Sequence, residues 1–562
     1  MVNRIITFIN KELSGVNEAA LMLGAFAFMS QLLGLFRDRT LAHVIGAGPV
    51  LDVYYAAFRI PDFLYISIAS LASITVLMPF LVDKMNKEEG GKIAARRFLN
   101  NVFTVYMMFM VGISILIALC MPLFAHYIAP GFTPMQTASL IMTSRIMLLS
   151  PIFIGLSNLI GTVTQLYKNF FIFSLSPIFY NLGILFGVFF LYPHFGVYGL
   201  ALGVIVGALL YLLVQIPIVI KHDFFPRFSH INWKEIWSVV KLSAPRTLTL
   251  SCNSLAFIVL ISIASELRPG SISLFTFAYN IQSDPVAVIG ISYAVAAFPT
   301  LVQSFSRKDT GAFINHIVQT AKQVIFWSLP ATTLIIVLRA QIVRVVLGSN
   351  AFSWADTRLT AASVAIFMIS LVTQALVLLF VRGYYATGNT KKPLIINVFS
   401  SIMVVVFAYL FIYIFRVHPA VLTAIETFLK VRDVPGSVML FLPLAYTAGS
   451  MLNFILIWFS FRKDFLSTAA SAIAKTFVQT AIAALVMGGV AYSALSIFDD
   501  LFSLSTGRGV FFQGFFAGII GILAGVIILL LFKNEELIKL IKTMSKKFSF
   551  NKAVIAPEQK EL

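Results

Sequence analysis

Apolar residues in this chain do not recur at the spacing of a half-buried strand or helix; they run almost unbroken for roughly 20 residues at a time. A run of that length lets a helix cross the ~30 Å hydrocarbon core of a bilayer. Fourteen such runs are laid out near residues 19–41, 51–82, 98–129, 137–166, 170–193, 197–220, 236–264, 271–305, 316–347, 357–386, 393–415, 438–461, 468–495 and 510–532. Several exceed the minimum, so tilted or kinked helices extending beyond the lipid are expected. Pro61, Pro151, Pro177, Pro245, Pro285, Pro299 and Pro330 fall inside them, and each removes a backbone hydrogen bond and permits a bend. The pattern predicts an all-α polytopic membrane protein.

Two terminal stretches read instead as surface helices. Residues 1–15 carry Arg4, Lys11 and Glu12 among Ile5, Ile6, Phe8, Ile9 and Leu13. From Lys533 to Lys552, Leu537, Ile538, Ile541, Met544 and Phe548 stand at helical spacing with lysines between them. That describes a basic amphipathic helix for anionic headgroups, but the simpler reading, a solvated positive tail with no specific ligand, is preferred.

A weak repeat adds internal order. Met78-Pro79-Phe80-Leu81-Val82 closes the second run, and Phe298-Pro299-Thr300-Leu301-Val302 closes the eighth, 220 residues later. Gln165–Asn169 at the end of the fourth is echoed, at close to the same offset, by Tyr384–Asn389 at the end of the tenth. Two six-helix lobes in parallel pseudo-repeat, plus two C-terminal helices, account for this. The division is then a surface segment at 1–18, lobes at 19–221 and 234–462, an added pair at 468–532 and a tail at 533–562. Parallel repeats place a substrate site between the lobes.

Composition agrees with the pattern. Only 11% of the 562 residues are charged, 59% are hydrophobic and mean hydropathy is +0.92, against about a quarter charged in an average chain. The net charge of +18 does not indicate nucleic acid, because the basic residues gather in alternate loops. Lys84, Lys87, Lys92, Arg96 and Arg97 occupy one such loop, Lys221, Arg227 and Lys234 another, and Arg307 and Lys308 a third, while 129–136 and 192–197 have none. The positive-inside rule assigns the basic loops, and with an even number of spans both termini, to the cytoplasmic side of the membrane. Cys120 and Cys252 both sit in apolar runs, so neither a structural disulfide nor a cysteine metal site is expected.

Charges inside the apolar runs are the candidate chemistry, since each costs about 2.5–3.5 kcal/mol at a span centre on insertion scales. The first two runs hold Arg37, Asp38, Arg39, Asp52, Arg59 and Asp62; Arg145, Lys241, Arg246, Asp284, Arg339, Arg344 and Arg382 follow. A snorkelling helix end or an internal ion pair explains any one of them, and best explains Arg39, Arg339 and Arg344. The cluster as a whole calls for a ligand. Arginine suits a phosphate, because its planar fork donates two parallel hydrogen bonds.

The stretch Gly34–His43, with Gly46-Ala47-Gly48, Asp52 and Ala57–Pro61, resembles the lipid II flippases of the MurJ (MviN) family. Weaker matches are Ala129–Phe132, Arg145–Met147, Gly199–Ala201 with Gln215, and Arg382–Ala386 with Gly388–Thr390 and Pro393. The resemblance spans roughly residues 20–530. It implies a fourteen-helix fold of two lobes around a cationic cavity, within the multidrug/oligosaccharidyl-lipid/polysaccharide exporter superfamily. The implied cargo is undecaprenyl-pyrophosphate carrying a disaccharide-pentapeptide, flipped outward by alternating access, with the last two helices forming a groove for the lipid tail. Arg37 and Asp52 fall on important family positions. Where members commonly carry arginines this chain has Gln31, Tyr65 and Asn280, and residues 393–415 and 438–461 lack the acids of some members' sodium site.

The expected substrate-binding set is therefore Arg37, Asp52, Arg59, Arg145, Arg246, Gln31 and Asn280. Arg37, Arg59, Arg145 and Arg246 supply the positive potential, and the two amides donate without charge assistance. The expected partners are a lipid-linked pyrophosphate glycan, membrane lipids and other cell-wall synthesis proteins. No cofactor is expected; coupling to membrane potential or to a monovalent cation stays open. So do other readings of the same fold: a flippase for O-antigen or capsule-type glycans, an exporter with Asp52 and Asp284 as ion carriers, or a scaffold. The seven histidines are scattered and no metal or DxD cluster is present, which argues against an enzyme.

Overall fold

The structure is a computed structural model describing residues 16–68, 73–87, 90–465, 470–503 and 506–549, and every regular element among them is helical. The expected surface helix at 1–15 lies outside the described residues. The first half runs α1 (Val16–Val44), α2 (Pro49–Ala57), α3 (Arg59–Ser67), α4 (Ile74–Lys87), α5 (Gly91–Ile128), α6 (Pro134–Met147), α7 (Leu149–Leu166), α8 (Phe170–Phe186), α9 (Val197–Leu213) and α10 (Ile216–Lys221). The second runs α11 (Trp233–Ser265), α12 (Ser271–Pro285), α13 (Ser292–Ser306), α14 (Thr310–Val337), α15 (Arg339–Leu347), α16 (Trp354–Met368), α17 (Leu371–Ala386), α18 (Lys391–Val417), α19 (Pro419–Leu429) and α20 (Phe441–Phe465). Then come α21 (Ala470–Asp499), α22 (Gly507–Leu531) and the tail helix α23 (Glu535–Ser549).

Among the described residues eleven helices are long and apolar enough to span a membrane, and α16–α17, bent by 43°, make a twelfth. Fourteen were expected. The first expected span falls on α1, which is not among the twelve. The second falls on α2, α3 and α4, of 9, 9 and 14 residues, each too short to cross alone. Single turns of π-helix at Gly187–Leu191 and Val286–Ile291, the latter directly after Pro285, interrupt the fifth and eighth spans.

The repeat is visible in the caps. Lys168 and Gly388 both adopt positive φ, and the next residue in each case, Asn169 or Asn389, donates its N–H to the carbonyl five back, Thr164 or Tyr384. These are the same Schellman-type helix end, 220 residues apart. Pro79 and Pro299 likewise both sit inside helices.

The chain forms two compact units. One comprises residues up to Asp284 with Val346–Phe367 and Thr390–Asn453; the other comprises Pro285–Val345, Met368–Asn389 and Phe454 onward. In the first, Leu77, Leu81, Phe98, Leu99, Met110, Leu159 and Val163 form a buried core. There α8 and α9 cross through glycine: a Cβ at Gly203 would lie 2.5 Å from the Gly187 Cα, and one at Gly183 would overlap the Gly207 backbone. Without a hydrophobic drive between helices in lipid, such close backbone approach supplies the van der Waals contact that holds the pair.

In the second unit α21 and α22 pack at Gly521, whose Cβ would meet Ala491, and through ring stacking of Phe502 on Phe516 at 5.8 Å. The tail helix docks here. Leu537 is buried with Phe326, Ala483 and Leu529, Asn534 caps α23 and donates to Gln479, and Glu535 pairs with Lys322 at 3.2 Å. The apolar stripe, read from the sequence as facing headgroups or solvent, thus covers protein in its first turn. Ile541 is exposed, and the Met544 and Phe548 side chains lie outside the described residues.

Candidate functional site

Helix α1 carries Arg37 and Asp38 into an apolar surrounding, where a guanidinium needs acceptors on several sides. Arg37 Nε and Nη2 donate to Asp38 Oδ1 at 2.9 and 2.8 Å, and Nη1 donates to Asn181 Oδ1 of α8 at 3.1 Å. Asn280 of α12 donates its amide to the other Asp38 oxygen at 2.9 Å. Three helices therefore meet on one ion pair, and Asp38 is 5% exposed. Gln31, half-buried, stands two turns before Asp38 on the same helix face. Asp284, one turn beyond Asn280, lies within electrostatic reach of both Arg37 and Asp38.

Arg59 is held separately. Its Nε donates to the Tyr55 carbonyl at 3.0 Å and its guanidinium sits 4.8 Å from the ring centre of Phe257 on α11, a cation–π contact. Tyr180 lies within electrostatic reach of both Arg37 and Asp62, so these groups face a common region. Tyr65 accepts a hydrogen bond from Asn158 at 2.8 Å.

Arg145 is not brought to the cluster; it is exposed and donates to the Ala118 carbonyl at 2.8 Å. Arg246 lies on α11 with its side chain outside the described residues. Asn181 was missed by sequence reasoning. Its signal was a lone amide in the apolar run of α8, four residues after Pro177, and a neutral residue does not stand out where charges are sought.

Asp52 does different work. Helix α12 begins after Gly270, which has φ +93 and no side chain with which to cap. The Asp52 carboxylate, 3% exposed, accepts from Gly270 N–H at 2.6 Å and from Ser273 N–H at 2.8 Å, and also from the Ser273 hydroxyl. One helix thus caps another, satisfying donors at the positive end of its dipole. Neighbouring contacts close the same end of this unit. Arg268 donates to Asp356 at 2.6 Å and to the Pro435 carbonyl at 2.7 Å, Gly131 N–H donates to Ser265, and Gly46 lies against the Ala351 carbonyl too closely for a Cβ.

The motif Arg382–Ala386 resolves into packing. Gly383 leaves room for the Phe461 ring, Tyr384 is buried with its hydroxyl on Ser460 and Asp464 at 2.7 and 2.9 Å, and Arg382 stands over Phe298 at 6.0 Å. In the second unit Gly489, Val490, Ala494, Ile497, Phe498 and Ile520 line an apolar hollow of ≈ 310 Å³ between α21 and α22.

The family model described as lipid II flippase MurJ matches residues 41–506, most of the chain. The chain belongs to this family. It is 24% identical over 491 residues to the lipid II flippase MurJ of Burkholderia cenocepacia, covering 86% of this chain and 90% of that one. It is 27% identical over 395 residues to the probable lipid II flippase MurJ of Rickettsia prowazekii, covering 69% and 76%. In fold it is similar to a solved lipid II flippase MurJ in an inward closed conformation, with TM-score 0.72, 20% identity, and coverage of 91% of this chain and 98% of that one. It is also similar to an inward-facing multidrug resistance MATE family transporter of the MOP superfamily, with TM-score 0.60, 16% identity, and coverage of 80% and 99%. The helix count and the family together make this a multi-pass membrane protein of the MurJ type.

Proposed function

We propose that this chain is a transporter, not an enzyme, and that it moves lipid II from the cytoplasmic to the outer leaflet in cell-wall biosynthesis. The carrying observation is Arg37. It is a guanidinium inside an apolar helix, held by Asp38 and Asn181 with part of its fork uncommitted, in a chain of the MurJ family. A pyrophosphate crossing hydrocarbon needs such a partner, because leaving it unpaired costs far more than the binding energy available. The apolar hollow between α21 and α22 suits a prenyl chain by its lining.

Both termini are read as cytoplasmic from the loop charges. On that orientation the contacts of Asp52 and Arg268 lie at the outer end of the first unit, which supports loading from the cytoplasm. The same orientation lets outward release proceed by breaking the Asp52 cap. Depleting the protein in its host and measuring lipid II on each leaflet tests the reading. Accumulation on the cytoplasmic leaflet, reversed by the intact gene but not by Arg37→Ala, is expected; an unchanged distribution overturns it.

A further inference from the structure

Asn181 is an amide at 7% exposure in a helix whose other polar side chains are Ser174, Ser176 and Tyr180. Its orientation is dictated by what surrounds it. Nδ2 donates to the Pro177 carbonyl at 3.2 Å and to the Ser30 carbonyl at 3.5 Å, which leaves Oδ1 as the acceptor for Arg37 Nη1. Turning the amide over would set its NH₂ against the guanidinium and its oxygen against two carbonyls.

On the other edge of the fork, Asp38 takes Nε and Nη2 with a single oxygen, and Asn280 engages its second oxygen. A guanidinium has five N–H donors; the bonds to Asp38 and Asn181 leave two of them for a ligand. The Arg37 side chain keeps 23% exposure, so it is not sealed.

We propose that Asn181 is the positioning residue that aims Arg37 at the phosphate of the cargo. It fixes one arm of the fork with a neutral acceptor, so the phosphate meets an arginine that is already oriented and is hydrogen-bonded to one carboxylate. Preorganisation of this kind lowers the ordering cost on binding. An aspartate at 181 would add a second carboxylate and cancel the attraction. An alanine would leave Nη1 free to reorient. The inference rests on the lipid II reading above.

The test is flipping of lipid II by the purified full chain in proteoliposomes, over a range of lipid II concentrations. Asn181→Ala is expected to raise the half-saturating concentration about tenfold with maximal rate little changed, the loss of one charge-assisted hydrogen bond. Asn181→Asp is expected to lower flipping at least ~100-fold, and adding Asp38→Asn to recover most of it by returning Arg37 to one carboxylate. Asn181→Gln, which keeps the amide, falls between alanine and wild type. Thermal unfolding of each variant checks folding, and if the aspartate variant does not fold, the alanine and glutamine variants decide. Equal half-saturation for alanine, glutamine and wild type overturns the proposal. If wild type shows no saturable flipping of lipid II, the cargo reading fails instead.

Discussion

Arg37 and Lys322 are both cations on apolar helices, and the protein neutralises them in opposite ways. Arg37 finds its carboxylate on the next residue of its own helix, so the pair travels with α1 whatever else moves. Lys322, with its side chain 10% exposed, takes its counter-ion from Glu535 on the tail helix, 213 residues later. The chemistry differs to match. A guanidinium can bind one partner and still offer donors to another, whereas a compact ammonium behaves as a point charge that one carboxylate largely satisfies. The first arrangement leaves capacity for a ligand; the second fastens α23 to α14.

Mutation separates these roles most sharply at the two cations. Arg37→Lys loses the fork and is expected to cut lipid II flipping at least ~100-fold. Lys322→Met removes the charge together with the need for Glu535, and flipping in the same proteoliposome assay should stay within about twofold of wild type. A strong transport defect in the methionine variant with normal folding would erase the distinction.

The Asp52 cap is the next largest effect. Asp52→Ala leaves the Gly270 and Ser273 N–H groups buried without their charged acceptor, and a loss of about 3 kcal/mol is expected, read as a lower unfolding midpoint in detergent. Asp52→Asn keeps one acceptor oxygen and should lose about half as much. If the two variants unfold alike, the carboxylate is not acting as a cap.

Packing gives a smaller effect. Gly203→Val forces α8 and α9 apart and should cost about 2 kcal/mol, while Gly489→Ala, with nothing within 4 Å of its Cβ, should stay within about 0.5 kcal/mol. Thermal unfolding of the two variants side by side checks the contrast.

The smallest effect is on pH. The hydrogen bond and charge of Lys322 hold the Glu535 carboxyl below its usual range, and the Arg358 fork does the same for Asp433. Each contribution is fully present above the unfolded carboxylate value of about 4 and is lost as pH falls through the lower folded value. The protection of amides at residues 535–542 against hydrogen exchange, taken relative to the intrinsic rate at each pH, should be unchanged from pH 8 to 5 and fall below about pH 4. Protection that is lost already at pH 6 would mean that another group docks the tail.

Much of the candidate site was legible because charges in apolar runs are conspicuous. Arg37, Asp52 and Arg59 all carry the interactions described, and Asn280, singled out by the family resemblance and not by charge, reaches Asp38. Arg145 was flagged by the same logic yet lies on an exposed face, since a charge in a run does not say which way its helix turns it. Asn181 was overlooked because it is neutral and lies outside the motifs that carry the family resemblance. The break at Phe58 falls in the turn before Pro61, where the sequence allowed a bend. The break at residues 369–370 has no proline beside it and was unread, because a kink depends on packing as much as on proline.

Local chemistry alone determined that this chain is helical and membrane-embedded, because an unbroken apolar run can satisfy its backbone in lipid only by coiling on itself. It also determined where the cations are and, through the repeat, that the helices come in related sets. Which groups meet was decided by tertiary structure. Asp52 caps a helix more than 200 residues away, Asn181 turns its oxygen toward Arg37, and α23 covers protein in its first turn. Periodicity records that a face is apolar or that a charge is present, but the partner that covers or neutralises it is chosen only when the helices pack.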